Sequence, residues 1–274
     1  MRAREHAQVD RLFSDVFAEP LTRQVAPQLA PRVLKWMEKT PRPENFVAIR
    51  TRYLDDSISQ RNPRIRQVVL FRSGLDARAY RLEALRGCRV FEIDRSAELF
   101  AHKKTILGGL NAPLIAERRD CIVVDIKEGK WEEKLFASGF DASSPTFWAL
   151  EGVLMYSSQA GNAAFLKTID LLSTAGSEIW GDLGGSALVR EDELNTMKHV
   201  NALSQAERGK QLFQYAEDDV LHGVLSQLAW QLELQAALLE GGTHFGRVFD
   251  PIRSGTGAPV QFSFVHGTKP AAAS

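Results

Sequence analysis

Short apolar runs alternate with longer stretches of helical periodicity through the middle of the chain, and that rhythm predicts a parallel sheet. Val68, Val69, Leu70 and Phe71 form one continuous apolar run, as a strand covered on both faces requires. Similar runs predict strands at 89–93, 117–124, 145–150 and 178–183. Between them, helical spacing predicts helices near 76–85, 97–107, 130–138 and 158–173. Such alternation predicts an α/β fold, a doubly wound and mostly parallel sheet with right-handed crossovers.

The flanks read differently. From 9 to 39 apolar residues such as Leu12, Phe13, Phe17 and Leu21 recur at mostly helical spacing, interrupted by Pro20, Pro27 and Pro31, which predicts several short helices. A longer helix is predicted over 44–59, with Arg52 and Asp55 or Asp56 on neighbouring faces. After Gly185 the rhythm breaks: 188–227 is polar and helical in pattern, with Met197, Leu203, Leu212, Phe213 and Leu221 as packing positions. Strands at 231–236 and 260–266 would close the sheet as an antiparallel pair at one edge, bringing it to seven strands. The tail from Thr268 has no pattern that would order it. The chain thus reads as one domain: an N-terminal helical cap over 1–60, a core over 65–185, a helical insertion over 186–228 and C-terminal strands over 229–268.

Composition narrows the partners. Thirty-four basic and thirty-four acidic side chains cancel, leaving no global field to draw the protein to nucleic acid or an anionic membrane. Cys88 and Cys121 suit reduced thiols better than a disulfide framework. The N-terminus is charged, and no apolar stretch approaches the ~20 residues that span a bilayer. A soluble, cytoplasmic protein acting on a small molecule or a protein, as a monomer or weak homodimer, is the expectation.

Candidate chemistry gathers where strands end. Ser73-Gly74 follows the first apolar run, and a ligand can lie against such a turn only where no side chain intervenes. The next strands end in acids: Asp94, Asp125 and Glu151. An acid about twenty residues beyond the glycine turn is placed to accept hydrogen bonds from ribose hydroxyls. A second, after strand three, could accept from an adenine amino group. Each acid alone is equally a helix cap, but the set favours an adenosine-containing ligand. The turn lacks the three glycines of a dinucleotide fingerprint, and no phosphate-binding G-x-x-x-x-G-K-[ST] occurs. A nucleoside without a pyrophosphate remains, with S-adenosylmethionine the leading candidate.

Four strings carry a resemblance: T-R-Y-L-D-D at 51–56, S-G-L-D-A-R-A-Y-R-L at 73–82, F-E-I-D at 91–94 and P-T-F-W-A-L-E-G-V-L-M-Y at 145–156. With them the chain resembles the leucine carboxyl methyltransferase family of S-adenosylmethionine-dependent class I methyltransferases, including its bacterial and polyketide-associated carboxyl O-methyltransferases. The resemblance implies a Rossmann-like methyltransferase fold and a transferase of the EC 2.1.1 class. It implies that Arg52 pairs with the cofactor's methionine carboxylate and that the Arg72-Ser73-Gly74 turn lies against the cofactor. It further implies that Asp94 holds the ribose, Asp125 and Ile126 meet the adenine, and Glu151 lies near the methionine amino group. Tyr156 faces the same crevice, as substrate contact or as packing.

Methyl transfer to a carboxylate needs alignment and a dry pocket but no general base. His102, His199, His222, His244 and His266 are scattered without metal-ligand spacing, and no metal is expected. A hydroxyl acceptor would need a base, for which His244 in G-G-T-H-F-G is the candidate. One departure stands out. The family pattern at the first turn is G-x-G, and here it reads Arg72-Ser73-Gly74. An arginine there points away, fills part of the pocket, or makes a new contact. Two readings follow: an O-methyltransferase of a small-molecule carboxylate or hydroxyl, or a methyltransferase-fold protein with impaired cofactor binding that serves as a scaffold or another catalyst. The shortness of the insertion favours a small-molecule acceptor over a protein carboxyl terminus.

Overall fold

Gln67–Phe71, buried along its length as β1, is an interior strand of a seven-stranded sheet. In the computed structural model, which describes residues 1–25, 34, 37, 38, 41–190 and 213–271, its neighbours are β2 (Arg89–Asp94) and β4 (Thr146–Leu150), both parallel to it. Val69 is in register with Phe91 on one side and Trp148 on the other. The remaining strands are β3 (Arg118–Val123), β5 (Glu178–Gly184), β6 (Gln231–Ala237) and β7 (Phe262–Thr268), giving the order β3-β2-β1-β4-β5-β7-β6. β7 runs antiparallel to both β5 and β6, the edge pair expected from the strands at 231–236 and 260–266. The sequence order reverses between β1 and β4, and the carboxyl ends of strands at such a switch point open onto the binding crevice of this architecture.

The helices given whole by the described residues are α1 (Arg2–His6), α2 (Ala18–Thr22), α3 (Glu44–Gln60), α4 (Arg78–Arg81), α5 (Ala97–Gly109), α6 (Trp131–Ala137), α7 (Gln159–Leu171) and α8 (Leu238–His244). The helix expected over 76–85 is broken. The Asp76 carboxylate accepts from the Arg78 amide at 2.7 Å in a turn just before α4, Leu82 is extended, and the chain resumes only as a 3-10 turn at Glu83–Leu85. Most of the expected insertion, 191–212 with Met197, Leu203 and Leu212, lies outside the described residues. From Phe213 onward the helical expectation fails: the chain is irregular up to a 3-10 turn at Val224–Gln227. The C-terminal expectation also needs correction, because Lys269 is fixed by Asp170 at 2.8 Å and by its amide to Ser177.

Aromatic rings fill the layer between β1, β4, α6 and α7. Phe71 meets Phe165 at 4.8 Å and Trp131 at 5.2 Å between centroids, in edge-to-face contacts that suit the ring quadrupoles. On the other side a bulge between Leu234 and Ala236 turns Gln235 toward the sheet, where it accepts from Trp180 Nε1 at 2.8 Å and donates to Ser57 at 2.7 Å. Glu92, fully buried in β2, accepts from Lys103 Nζ at 2.5 Å and Arg119 at 2.6 Å, and Lys103 also donates to the Asp76 carbonyl at 2.8 Å. This buried ion cluster ties α5 and β3 to the loop after β1.

Candidate active site

The loop after β1 is shaped by two left-handed residues. Gly74 has φ +45°, and a Cβ there would meet Asp94 Oδ2 at 3.8 Å, so conformation rather than space calls for glycine. Its amide donates to Asp94 Oδ2 at 2.9 Å, while Asp94 Oδ1 accepts from Ser96, the N-cap of α5, at 3.0 Å. Arg72 has φ +51°, a conformation that costs a non-glycine residue roughly 1–2 kcal/mol. Its guanidinium lies 5.0 Å over the Tyr156 ring, so the arginine bridges the turn after β1 to the turn after β4. Asp125, after β3, accepts the Lys127 amide at 3.0 Å and has Arg95 at 3.9 Å. Ile126 follows it half-buried against the core.

At the other end of the crevice Glu151 leaves β4 and meets three guanidinium groups: Arg2 at 2.9 Å, Arg50 at 3.1 Å and Arg78 at 2.7 Å. The chain turns at once through Gly152 at φ +64°, whose amide donates to Asp182 at 2.6 Å. Arg50 reaches Asp182 at 3.4 Å, and Arg78 also holds Asp55 at 2.6 Å and Asp76. Burial alone would raise the Glu151 carboxyl, but Arg78, Arg2 and Arg50 together hold it well below the usual carboxylate range. Asp76 follows the same balance against Arg78 and Arg2 and is lowered to about 2. For Asp182 burial prevails over Arg50, and its carboxyl is raised.

Between these groups lies a cavity of about 120 Å³, lined by Arg2, Arg50, Arg72, Ser73, Arg78 and Glu151 among others. On its lining residues, Ser73 Oγ and Arg78 Nη2 are buried without a hydrogen-bond partner. A second cavity of about 320 Å³ shares Arg2, Arg72, Ser73 and Asp76 and extends under α1 and α2.

Asp94, Gly74, Ser73, Arg72, Glu151 and Tyr156 thus converge on the switch-point crevice, with Asp125 and Ile126 at its β3 side. Arg52 does not. It pairs with Asp56 at 2.8 Å, donates to the Leu12 carbonyl at 3.1 Å and lies over Phe245. Two helical residues separate side chains by about 200° around the axis, so the guanidinium that α3 delivers to Glu151 is Arg50. The signal was present: Arg50, Leu54 and Ile58 recur every four residues on one stripe, and Leu54 and Ile58 are fully buried. His244 is exposed at the end of α8, packed on Phe245, and lines neither cavity. Burial pushes the Tyr156 phenol up, which keeps it protonated, and its ring lies against the Arg72 guanidinium. Arg78 lay inside the 73–82 string without being assigned a role, and Arg2 and Asp182 carried no sequence signal for this site.

Among the described residues no group of His, Cys, Asp or Glu could hold a metal ion, and no helix is long and apolar enough to cross a membrane.

The family profile for leucine carboxyl methyltransferase matches residues 1–170. A "Putative S-adenosyl-L-methionine-dependent methyltransferase" of Saccharopolyspora erythraea is 33% identical over 84% of this chain and 80% of its own length. One from Streptomyces coelicolor is 46% identical over 49% of this chain, but only 44% of its own length is matched; for one from Mycolicibacterium gilvum the identity is 35%, over 65% and 61%. Among solved structures, a "putative methyltransferase" from Thermobifida fusca superposes with a TM-score of 0.61 at 13% identity, covering 96% of this chain and 95% of that one. An O-methyltransferase family protein from Burkholderia thailandensis gives 0.53 at 10% identity, over 95% and 74%. These two share the fold. The chain belongs to the leucine carboxyl methyltransferase family.

Proposed function

We propose that the protein is an S-adenosylmethionine-dependent O-methyltransferase that esterifies the carboxylate of a small molecule. The observation that carries the reading is the pair of unpartnered buried atoms, Ser73 Oγ and Arg78 Nη2, beside Arg50 and Glu151 at the closed end of the crevice. A buried donor without a partner costs ~1–3 kcal/mol, and the amino-acid end of the cofactor offers both an acceptor carboxylate and a donor ammonium. Arg50, Arg78 and Ser73 would hold that carboxylate, and Glu151 the ammonium. Gly74 and Asp94 would hold the ribose, and Asp125 and Ile126 the adenine. The 120 Å³ cavity is small beside the ~300–1,000 Å³ of ordinary ligand sites, so Arg2 must yield its hold on Glu151 and Asp76 as the cofactor enters.

When bound, the cofactor supplies a sulfonium methyl: a carboxylate oxygen lone pair forms the C–O bond as the C–S bond breaks, its electron pair staying on sulfur, with no proton moved. The chain's own residues align and desolvate, and none needs to act as a base. Tyr156, protonated, donates toward the acceptor. A hydroxyl acceptor is the weaker reading, because His244 lines neither crevice cavity. The test is transfer of a tritiated methyl group to a panel of organic acids and phenols. Product that releases volatile methanol on mild alkali is a carboxyl ester; alkali-stable product would overturn the carboxylate assignment.

The non-methylating reading rests on Arg72 at the turn and on Arg2 bound to Glu151. It requires that the native chain fail to bind the cofactor while Arg72→Gly binds it.

A further inference from the structure

The guanidinium groups around the crevice are matched to carboxylates with one exception. Arg2, Arg50, Arg78 and Arg81 each have an acidic partner within 3.5 Å. Among the described residues, Arg72 has neither an ion pair nor a hydrogen bond; its one specific contact is the face of Tyr156. Its side chain is part-buried with five donors and no acceptor from the protein, on a left-handed backbone that itself carries strain. Burial, helped by the like charge of Arg95, lowers its pKa from the usual arginine value against the opposing pull of Tyr156, Asp125 and Asp94. The Tyr156 ring orients the group without using its in-plane donors, which stay available to an anion.

We infer that Arg72, braced on Tyr156, is the seat of the acceptor's carboxylate, and that the acceptor is an organic acid with an apolar body. The 320 Å³ cavity that Arg72 also lines supplies the apolar volume through Ala3, Ala18, Leu21, Val47 and Leu75. Its acids, Asp15 and Asp76, already face Arg81 and the Arg2–Arg78 pair, so they leave the charge of Arg72 uncancelled. A planar guanidinium grips a carboxylate through two parallel hydrogen bonds, fixing the plane of the nucleophile as well as its position. The inference rests on the methyltransferase reading above, to which it adds a specificity-determining residue.

The test uses octanoate as probe, with octanamide as its neutral counterpart, titrated calorimetrically into the full chain saturated with S-adenosylhomocysteine. The native chain is expected to bind octanoate at least about tenfold more tightly than octanamide. Arg72→Gly, which suits the left-handed backbone, is expected to lose about tenfold or more in octanoate affinity while still binding S-adenosylhomocysteine. Arg72→Lys is expected to fall between them, keeping the charge but not the fork. Equal affinity of the native chain and Arg72→Gly for octanoate, equal affinity of octanoate and octanamide, or no octanoate binding up to about 10 mM would each overturn the inference. Should S-adenosylhomocysteine not bind the native chain, the methyltransferase reading fails separately. The octanoate titration of the protein alone then decides the seat: dependence on Arg72 supports it, and independence overturns it.

Discussion

Arg2 and Glu151 stand 149 residues apart in sequence and meet at 2.9 Å at the closed end of the crevice. The contact joins the first helix of the chain to the turn after β4. It makes the N-terminus part of the site wall, and α1 is held there a second time by Glu5, buried against Arg247 at 3.0 Å.

The three arginines around Glu151 predict an asymmetry in stability. Arg2→Gln leaves Glu151 with Arg50 and Arg78 and is expected to cost about 1–2 kcal/mol. Glu151→Gln removes the charge that all three share and is expected to cost about 3 kcal/mol, the low end for an uncompensated buried charge, because Asp55, Asp76 and Asp182 remain. Urea unfolding midpoints measure both, and equal costs would contradict the shared-charge picture.

The same cluster sets the acid limb of stability. Glu151 and Asp76 have native carboxyls held below their unfolded values, so their contribution is complete above about pH 5 and is lost as pH falls toward about 2. Asp182 acts in the opposite sense, since its raised carboxyl favours the protonated native state and offsets part of the loss. Between pH 5 and 3 the unfolding free energy should fall with pH, and the slope should flatten in Glu151→Gln. A slope unchanged by that substitution would remove Glu151 from the account.

Arg50 and Arg52 should separate cleanly. Loss of a charge-assisted contact to the cofactor carboxylate in Arg50→Gln is expected to weaken S-adenosylhomocysteine binding by about 10- to 100-fold. Arg52→Gln, on the Asp56 side of the helix, should stay within about twofold. The reverse order would restore the role first assigned to Arg52.

Arg72 predicts a preference between the two forms of the cofactor. Its guanidinium repels a sulfonium and is indifferent to a neutral thioether, so the native chain should bind S-adenosylhomocysteine more tightly than S-adenosylmethionine. Octanoate should narrow the gap by neutralising the guanidinium, as reciprocal coupling requires. A ratio unmoved by octanoate and by Arg72→Gly would mean that Arg72 stands clear of the reacting centre.

Much of this was legible in the sequence because local rules wrote it. The β1 run needed only burial on both faces, and Gly74 and Asp94 follow from the turn that such a strand requires. Arg50 was missed by two residues, although its spacing to Leu54 and Ile58 marked the inward stripe. Arg2 and Asp182 are beyond any local pattern: their meeting with Glu151 and Arg50 depends on how α1 and β5 dock against the sheet. The fate of Arg72 was open for the same reason, since its partner Tyr156 comes from another turn.

The central claim is that the switch-point crevice holds the cofactor despite an arginine at its first turn. Calorimetric titration of S-adenosylhomocysteine into the native chain tests it most directly. One-to-one binding with a dissociation constant of about 1–100 µM is predicted. No binding by the native chain, together with binding by Arg72→Gly, would contradict it.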